Sequence, residues 1–455
     1  MIGLGFAEML VLALMAGGFN ASDLISAVEP THYFKARQME ISVDRAIDYA
    51  GEEAKSPKMQ IIQLSALRYL ADQSAALKKS PNYADYVKTL QQIAAGKKGA
   101  DPQGFARDYA ERVLVKLGES KGAELKMPRP LREEAFAWFP SDITMGGAID
   151  MQHAQVAGGA DPVRDLVKLI PEQARMEMYN VIEKIGNVRV ERFAIGIVDS
   201  PGKKDKMKIF MRITGKANQD WLIDAFQGFG GRQQAKRIKD ANDTPITLMQ
   251  DRNRSPILGL VGNSDILIIG YAGGGDNPDG LVDEVLEVRA KKKANPTAGV
   301  LKDRLAKVPD KAVGLFVGNI PEDAKREFRF IDPIPQNITA FVERTKEGLD
   351  VQATSSMSGV DEADKLVRKV ADLRKQGIEE VKKAMQMPRR PGEPPLPFQS
   401  MINVLESLQV NSKEGTVRVR VVVPESFIRE MTNTLMLFGA RAGPDLPPPP
   451  KDEGK

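Results

Sequence analysis

The chain has 455 residues, of which 42% are apolar and 28% charged, the ordinary balance of a globular protein with two or three folded units. That balance excludes global disorder, a collagen and a polytopic membrane protein, and 65 basic against 61 acidic residues (net +4) give no overall field to drive binding to nucleic acid or an anionic membrane. With no cysteine and only His32 and His153, thiol catalysis, disulfides, iron–sulfur clusters and the usual Cys/His zinc sites are excluded, as is a Ser-His-Asp centre that uses neither histidine.

Ile2 to Phe19 read IGLGFAEMLVLALMAGGF, with Glu8 as the sole charge. As a helix this segment is about 27 Å long, just short of the roughly 30 Å hydrocarbon thickness. Three readings fit that length. A retained anchor tolerates Glu8 near an interface. A cleaved signal peptide would explain Ala16, Gly17 and Gly18, but it lacks the Lys/Arg n-region. A buried helix of a soluble domain has the same dimensions.

The run Gly5-Phe6-Ala7-Glu8-Met9-Leu10, followed by apolar residues to Gly17-Gly18-Phe19, resembles the start of the small twin-arginine translocase subunits. In that family a Gly-x-x-Glu-Leu-type opening leads a short membrane helix. The resemblance implies a membrane-helix style for residues 2–19 and favours the anchor, without implying translocase activity, because the family's basic hinge is missing. Asp23, Glu29, Lys35, Arg37 and Glu40 leave the orientation open.

From Asn20 to about Glu134 no strand pattern appears. Ser56-Pro57 opens a helix to about Lys79, striped by Ile61, Leu64, Leu67, Tyr69 and Leu70, and further helices are predicted at Tyr83–Ala95 and Asp101–Leu117. Met127-Pro128-Arg129-Pro130 marks a boundary.

The remainder reads as a duplicated α+β unit. Phe139-Pro140-Ser141-Asp142 opens the apolar run Ile143–Ile149, and Val308-Pro309-Asp310-Lys311 opens Ala312–Ile320. A hairpin pattern follows each: Phe193–Val198 with Met207–Thr214, where Met207, Ile209, Met211 and Ile213 alternate, and Ile338–Val342 with Asp350–Ser356. Helices at Gln219–Phe229 and Asp361–Met385 come next. The apolar stripe of the latter suits packing on the sheet and not a partner groove. Second hairpins follow at Ile257–Val261 with Ile266–Tyr271, and at Leu408–Val410 with Val417–Val423, where Arg418 and Arg420 point to the opposite face. Gly280–Lys293 and Glu425–Phe438 close the copies as helices. Met387–Pro397 reads as a Pro-rich linker.

The expected fold class is α+β: a helical segment, then a duplicated antiparallel sheet-plus-helix unit. The organisation is an anchor at 1–19, a helical domain at 20–134, α+β copies at 135–300 and 301–438, and a disordered Pro-rich tail at 439–455.

For chemistry, His153 follows Asp150 and reads as a surface or loop histidine, and His32 as an interface or turn residue. Gly273-Gly274-Gly275 sits where a phosphate loop would, but the six-residue frame ends in Pro278 and no Gly-Lys-Ser/Thr follows. Arg232, Lys236, Arg237 and Lys239 form a basic stretch without aromatic interleaving, which reads as a solvated face. Lys291-Lys292-Lys293 suits a helix C-terminus. Asp142, Asp150, Glu183, Asp199, Asp224 and Asp265 are the carboxylates singled out, and nothing in the sequence pairs them. No residue is assigned a catalytic, cofactor-binding or metal role. The reading is a non-catalytic, membrane-tethered binding or assembly protein of the bacterial cell envelope, touching the membrane through residues 2–19 and an unidentified protein partner, with no nucleic acid. The alternatives are a hydrolase built on dispersed carboxylates and a soluble protein.

Overall fold

The computed structural model describes residues 30–122, 130–154, 172–199, 207–230, 234–240, 242–250, 257–271, 278–320, 333–387, 396–428 and 430–431. The expected anchor segment, the glycine run at 273–275, Arg232, most of the Pro-rich linker and the tail lie outside them.

The N-terminal region is helical, as its patterning predicts: α1 Pro30–Ala36, α2 Val43–Gly51, α3 Pro57–Asp72, α4 Ser74–Lys78, α5 Tyr83–Ala94 and α6 Phe105–Leu117. Ser42 and Ser56 cap α2 and α3 by accepting from the N–H groups of Arg45 and Met59, both at 3.2 Å. The helix expected from Ser56 to Lys79 is corrected: it stops at Asp72, because Gln73 leaves the helical region (φ −91°, ψ 19°) before α4 begins. The buried Gln60 of α3 accepts from the Asn187 N–H at 2.8 Å, tying this region to the start of a sheet strand. An unpaired backbone N–H at such a depth would be costly.

The remaining elements are α7 Leu131–Glu134, β1 Met145–Asp150, α8 Met151–Ala154, α9 Glu172–Ile185, β2 Arg189–Val198, β3 Lys208–Lys216, α10 Gln219–Gly230, β4 Gln234–Lys239, β5 Pro245–Gln250, β6 Ile257–Val261, β7 Asp265–Tyr271, α11 Asp279–Arg289, α12 Lys302–Leu305, β8 Ala312–Asn319, β9 Asn337–Arg344, β10 Gly348–Ser356, α13 Val360–Gln386, α14 Phe398–Ser407, β11 Gln409–Lys413 and β12 Thr416–Pro424. The class is α+β, and the described strands form one twelve-stranded sheet in the order β11-β12-β10-β9-β8-β1-β2-β3-β7-β6-β5-β4. Neighbouring strands pair antiparallel throughout.

Read outward from the central β1·β8 pair, the two arms have equivalent order: β1-β2-β3-β7-β6 on one side and β8-β9-β10-β12-β11 on the other. Pro140 and Pro309 lie equally far upstream of Gly147 and Phe316, which are opposite one another in that central pair. A hairpin absent from the sequence reading, β4–β5, extends the first arm.

The sheet has two unlike faces. On one, which we call the strap face, the segment 131–143 lies across the middle: a Cβ on Gly146 would stand 2.7 Å from the Phe136 ring, and one on Gly196 2.4 Å from Ile143. Phe136, Phe139 and Phe210 pack there with α11 and α12 in one core. On the other, the helix face, α1–α6, α9 and α10 cover the β5–β6 end and share a core with Met249, Leu258, Leu260 and Ile213. At the far end α13 covers β11 and β12 around Leu366 and Val417. Because side chains alternate, a one-residue slip in any strand would exchange these faces.

Candidate functional site

The most polar part of the interior is a row of side chains on the strap face. Asp150, Arg192, Thr214 and Asp265 stand directly opposite one another on β1, β2, β3 and β7. Asp150, Arg192 and Asp265 are buried, as is Arg212 one step along β3. Charges at that depth need partners, and each has one. Arg192 Nε donates to Asp150 at 3.0 Å, Arg212 Nε to Asp265 at 2.8 Å, and Ser264 and Thr214 donate to the same Asp265 carboxylate at 2.6 and 3.0 Å. Arg212 also donates to the Glu134 carbonyl at 2.8 Å, which fastens the strap to the sheet.

Trp138, on the strap, lies against two guanidinium groups. Arg212 is 3.9 Å and Arg289, at the end of α11, 4.7 Å from its ring centroid. Arg289 pairs with Asp240 and donates to Thr244 at 3.2 Å. Burial, and then the neighbouring Arg212 charge, hold the Arg289 pKa below its usual value.

In the second arm Glu343 and Asp350 are opposite each other on β9 and β10, both buried. Lys311 lies 2.8 Å from Glu343, and Arg420 grips Asp350 through Nε and Nη2 at 3.0 and 2.9 Å. That grip holds the Asp350 carboxyl below its usual pKa, with a smaller contribution from Gln352 against the opposing effect of burial. A general acid needs the reverse shift.

The candidates from the sequence are thus distributed. Asp150 and Asp265 share the row, but three strand spacings, about 14 Å, separate them, beyond the reach of a hydrolytic carboxylate pair. Asp142 faces Lys208 at 3.8 Å, Asp224 is exposed, and Glu183 accepts from Tyr33 and Arg37 at 2.6 and 2.8 Å between α1 and α9. The Asp199 N–H donates to Thr144. The reading of His153 as a surface or loop residue is corrected: its side chain is 14% exposed and Nδ1 sits 2.9 Å from Asp150, which also caps α8. Its Nε2 is buried without a hydrogen-bond partner among the described residues. His32 lies against Tyr179, with Nδ1 3.1 Å from the hydroxyl. Burial pushes the Tyr179 pKa up to about 12, against the lowering effect of nearby arginines. Lys236, Arg237 and Lys239 are exposed on β4, and Lys293 pairs with Glu287 at 2.6 Å beyond α11. Among the described residues no group of three or more His, Asp or Glu could hold a metal, and no helix is long and apolar enough to cross a membrane.

The feature that sequence reasoning misjudged is on the helix face. Between its two helical covers, β1, β2, β3, β8 and β9 present Met145, Ile149, Phe193, Ile195, Ile197, Ile209, Met211, Ile338 and Val342, all half-buried, around a Phe316 that is 42% exposed. Among the described helices, those packed most closely against β1 and β8 are the single turns α7, α8 and α12. These side chains form a contiguous, half-buried apolar strip across the middle of the sheet.

The chain matches no protein-family model and no curated protein. Solved structures similar to it include crystal forms I and III of TP0453. They are 5% and 8% identical in sequence, with TM-scores of 0.30 and 0.31, over 67% and 69% of this chain and 97% and 99% of theirs. So slight a likeness carries no argument about function.

Proposed function

We propose that this chain is a non-catalytic binding or assembly protein of the bacterial cell envelope, tethered to a membrane by residues 2–19. The apolar strip around Phe316 carries the reading. Its side chains are half-buried at the middle of a sheet whose two ends are covered, and its chemistry is that of a partner surface. The polar groups support it too, since each buried carboxylate of the row is held by an arginine, an arrangement that fixes the sheet and leaves little for proton transfer. The strap, held by Arg212 through the Glu134 carbonyl and the Trp138 ring, covers the opposite face. The apolar segment 2–19, with its single charge, supplies the tether. We read the two arms as copies of one unit, a reading supported by their equivalent strand order.

Alkaline extraction of membranes from cells expressing the full chain, compared with a chain lacking Met1–Phe19, tests the tether. The full chain should stay in the membrane pellet at unchanged intact mass, and the truncated one should be released. Release of both at full mass would remove the tether, and a mature chain shortened by about 20 residues would make the segment an export signal.

A further inference from the structure

We propose that the helical hairpin α13–α14 is a second point of contact with the membrane. Its tip enters the interface of an anionic bilayer, with Met385, Met387 and Leu396 among the lipid and Lys382 and Lys383 at the phosphates. The contact is additional to the tether proposed above and uses none of its residues.

The hairpin stands clear of the sheet. Within α13, 27 residues long, Ala363 and Leu366 are the buried side chains, both in its first half, where it packs on β11 and β12 with Val417. Arg374 fixes the crossing at the end of the sheet: its Nη1 donates at 2.8 Å to the carbonyl of Leu408, the residue before β11. A Cβ on Gly377 would stand 3.5 Å from Leu405 of α14. Residues 378–386 run on past that crossing for about 14 Å. α13 then stops, with Met387 extended at ψ 138° ahead of Pro388, and α14 returns from Phe398 to Ser407.

The apolar side chains of this hairpin have been left in the open. Leu373, Met385, Met387 and Leu396 are four of the eight large apolar residues exposed among the described ones, so the exposure is concentrated here. Lys382 and Lys383 beside them are exposed, and residues 381–387 and 396–405 contain no carboxylate. Glu379 and Glu380 stand further back along α13, and Glu430 accepts from Ser400 at 2.5 Å. Methionine adapts to any apolar surroundings, and a lysine stem can lie along lipid while its ammonium group reaches a phosphate. An anionic bilayer interface takes up apolar area and positive charge without requiring a complementary shape. A protein partner is recognised through a close-packed surface, which the end of a narrow hairpin does not present.

The tip also points toward the end of the molecule from which the tether departs. Neighbouring strands are antiparallel from β11 to β2, so β2, β8, β10 and β11 all begin at one end of the sheet. The hairpin projects from that end, because α14 leads directly into β11. α1 lies there too, since Tyr33 and Arg37 hold Glu183 near the close of α9, and α9 leads into β2.

The absence of native cysteine permits single probes. In the full chain, Met387→Cys and, at the opposite end of the sheet, Lys413→Cys each carry a nitrobenzoxadiazole dye. On phosphatidylethanolamine–phosphatidylglycerol vesicles containing a spin-labelled lipid, the dye at Met387→Cys should be quenched several-fold more than the dye at Lys413→Cys. Lys382→Gln with Lys383→Gln should lower that quenching several-fold at unchanged circular dichroism, as should replacing both lipids by phosphatidylcholine. Leu396→Cys serves as a second site at the tip. Equal quenching at the two ends of the sheet, or none at either tip position, overturns the proposal. Quenching that ignores both the lysines and the lipid charge overturns it as well. So does a dye response that follows protein concentration and not vesicles, which would assign the tip to a second copy. Alkaline extraction of the unlabelled chain reads the tether separately: a chain retained in the membrane without quenching at the tip sinks only this contact, and quenching at the tip of a chain that is released sinks only the tether.

Discussion

In the arm β1-β2-β3-β7-β6 the outer strands are buried from both sides: Phe210, Leu267 and Ile269 face the strap core, while Leu258, Leu260 and Ile213 face the N-terminal helices. The arm β8-β9-β10-β12-β11 has the same order of strands but a thinner cover. Among the described residues its own helical core holds four that are buried, Met357, Ala363, Leu366 and Val417, and the strap-face side chains Arg418 and Arg420 are exposed. The ion pairs follow suit. Arg212 and Asp265 are 4% and 6% exposed, whereas Arg420 is 52% exposed over a buried Asp350. A shared backbone ladder therefore does not imply a shared interior. Hydrogen-bond order sets which strands are neighbours, and the segments laid over them set what each residue contributes.

The largest contrast should come from deleting core volume. Phe210→Ala, at a fully buried ring packed on Phe139, should cost about 3–5 kcal/mol. Val421→Ala, half-buried on β12, should cost a small fraction of that, both read as urea unfolding midpoints at constant slope. Similar losses at the two positions would break the comparison.

The ion pairs sharpen it further. Arg212→Met strands Asp265 in a low-dielectric site and should cost about 3 kcal/mol or more, while Arg212→Met with Asp265→Asn should recover much of the loss. Asp350→Asn should be several-fold milder, since Arg420 stays solvated. The effect of Asp350 also depends on pH in a definite sense. Its folded pKa lies below the usual 3.8, so its contribution is complete above that value and is lost as pH falls through the lowered one. The stability gap between wild type and Asp350→Asn should accordingly be constant at neutral pH and close below about pH 3.8.

Much of the second arm was legible in the sequence. The turn at Lys346-Glu347-Gly348 does join β9 to β10, with Gly348 at φ +145°, and Arg418 and Arg420 do leave the face of Val417 and Val419. In β3 the alternation was also right, but its meaning was reversed. Met207, Ile209, Met211 and Ile213 form the apolar face, yet Phe210 and Arg212 are the buried residues, because the strap covers their side while the other stays half-buried. Periodicity finds a face; it does not say what will be laid over it. The polar row was illegible for a related reason. Asp265 comes beside Arg212 and Thr214 only because β7, and not β4, pairs with β3, a non-local choice. The β4–β5 hairpin was hidden by its edge charges: Lys236, Arg237 and Lys239 read as a solvated face, and they are solvated, on an edge strand that such charges protect from further pairing.

The central claim is that the strip around Phe316 is a solvent-accessible surface, and methionine oxidation tests it most directly. Met145 and Met211 lie on the strip, Met178 and Met249 are buried at 0% and 2% exposure, and Met387 is 66% exposed. In the full chain treated with dilute peroxide, Met145 and Met211 should oxidise soon after Met387 and well ahead of Met178 and Met249. If Met145 and Met211 resist as long as the two buried residues do, the strip is interior, and the binding surface proposed for this protein does not exist.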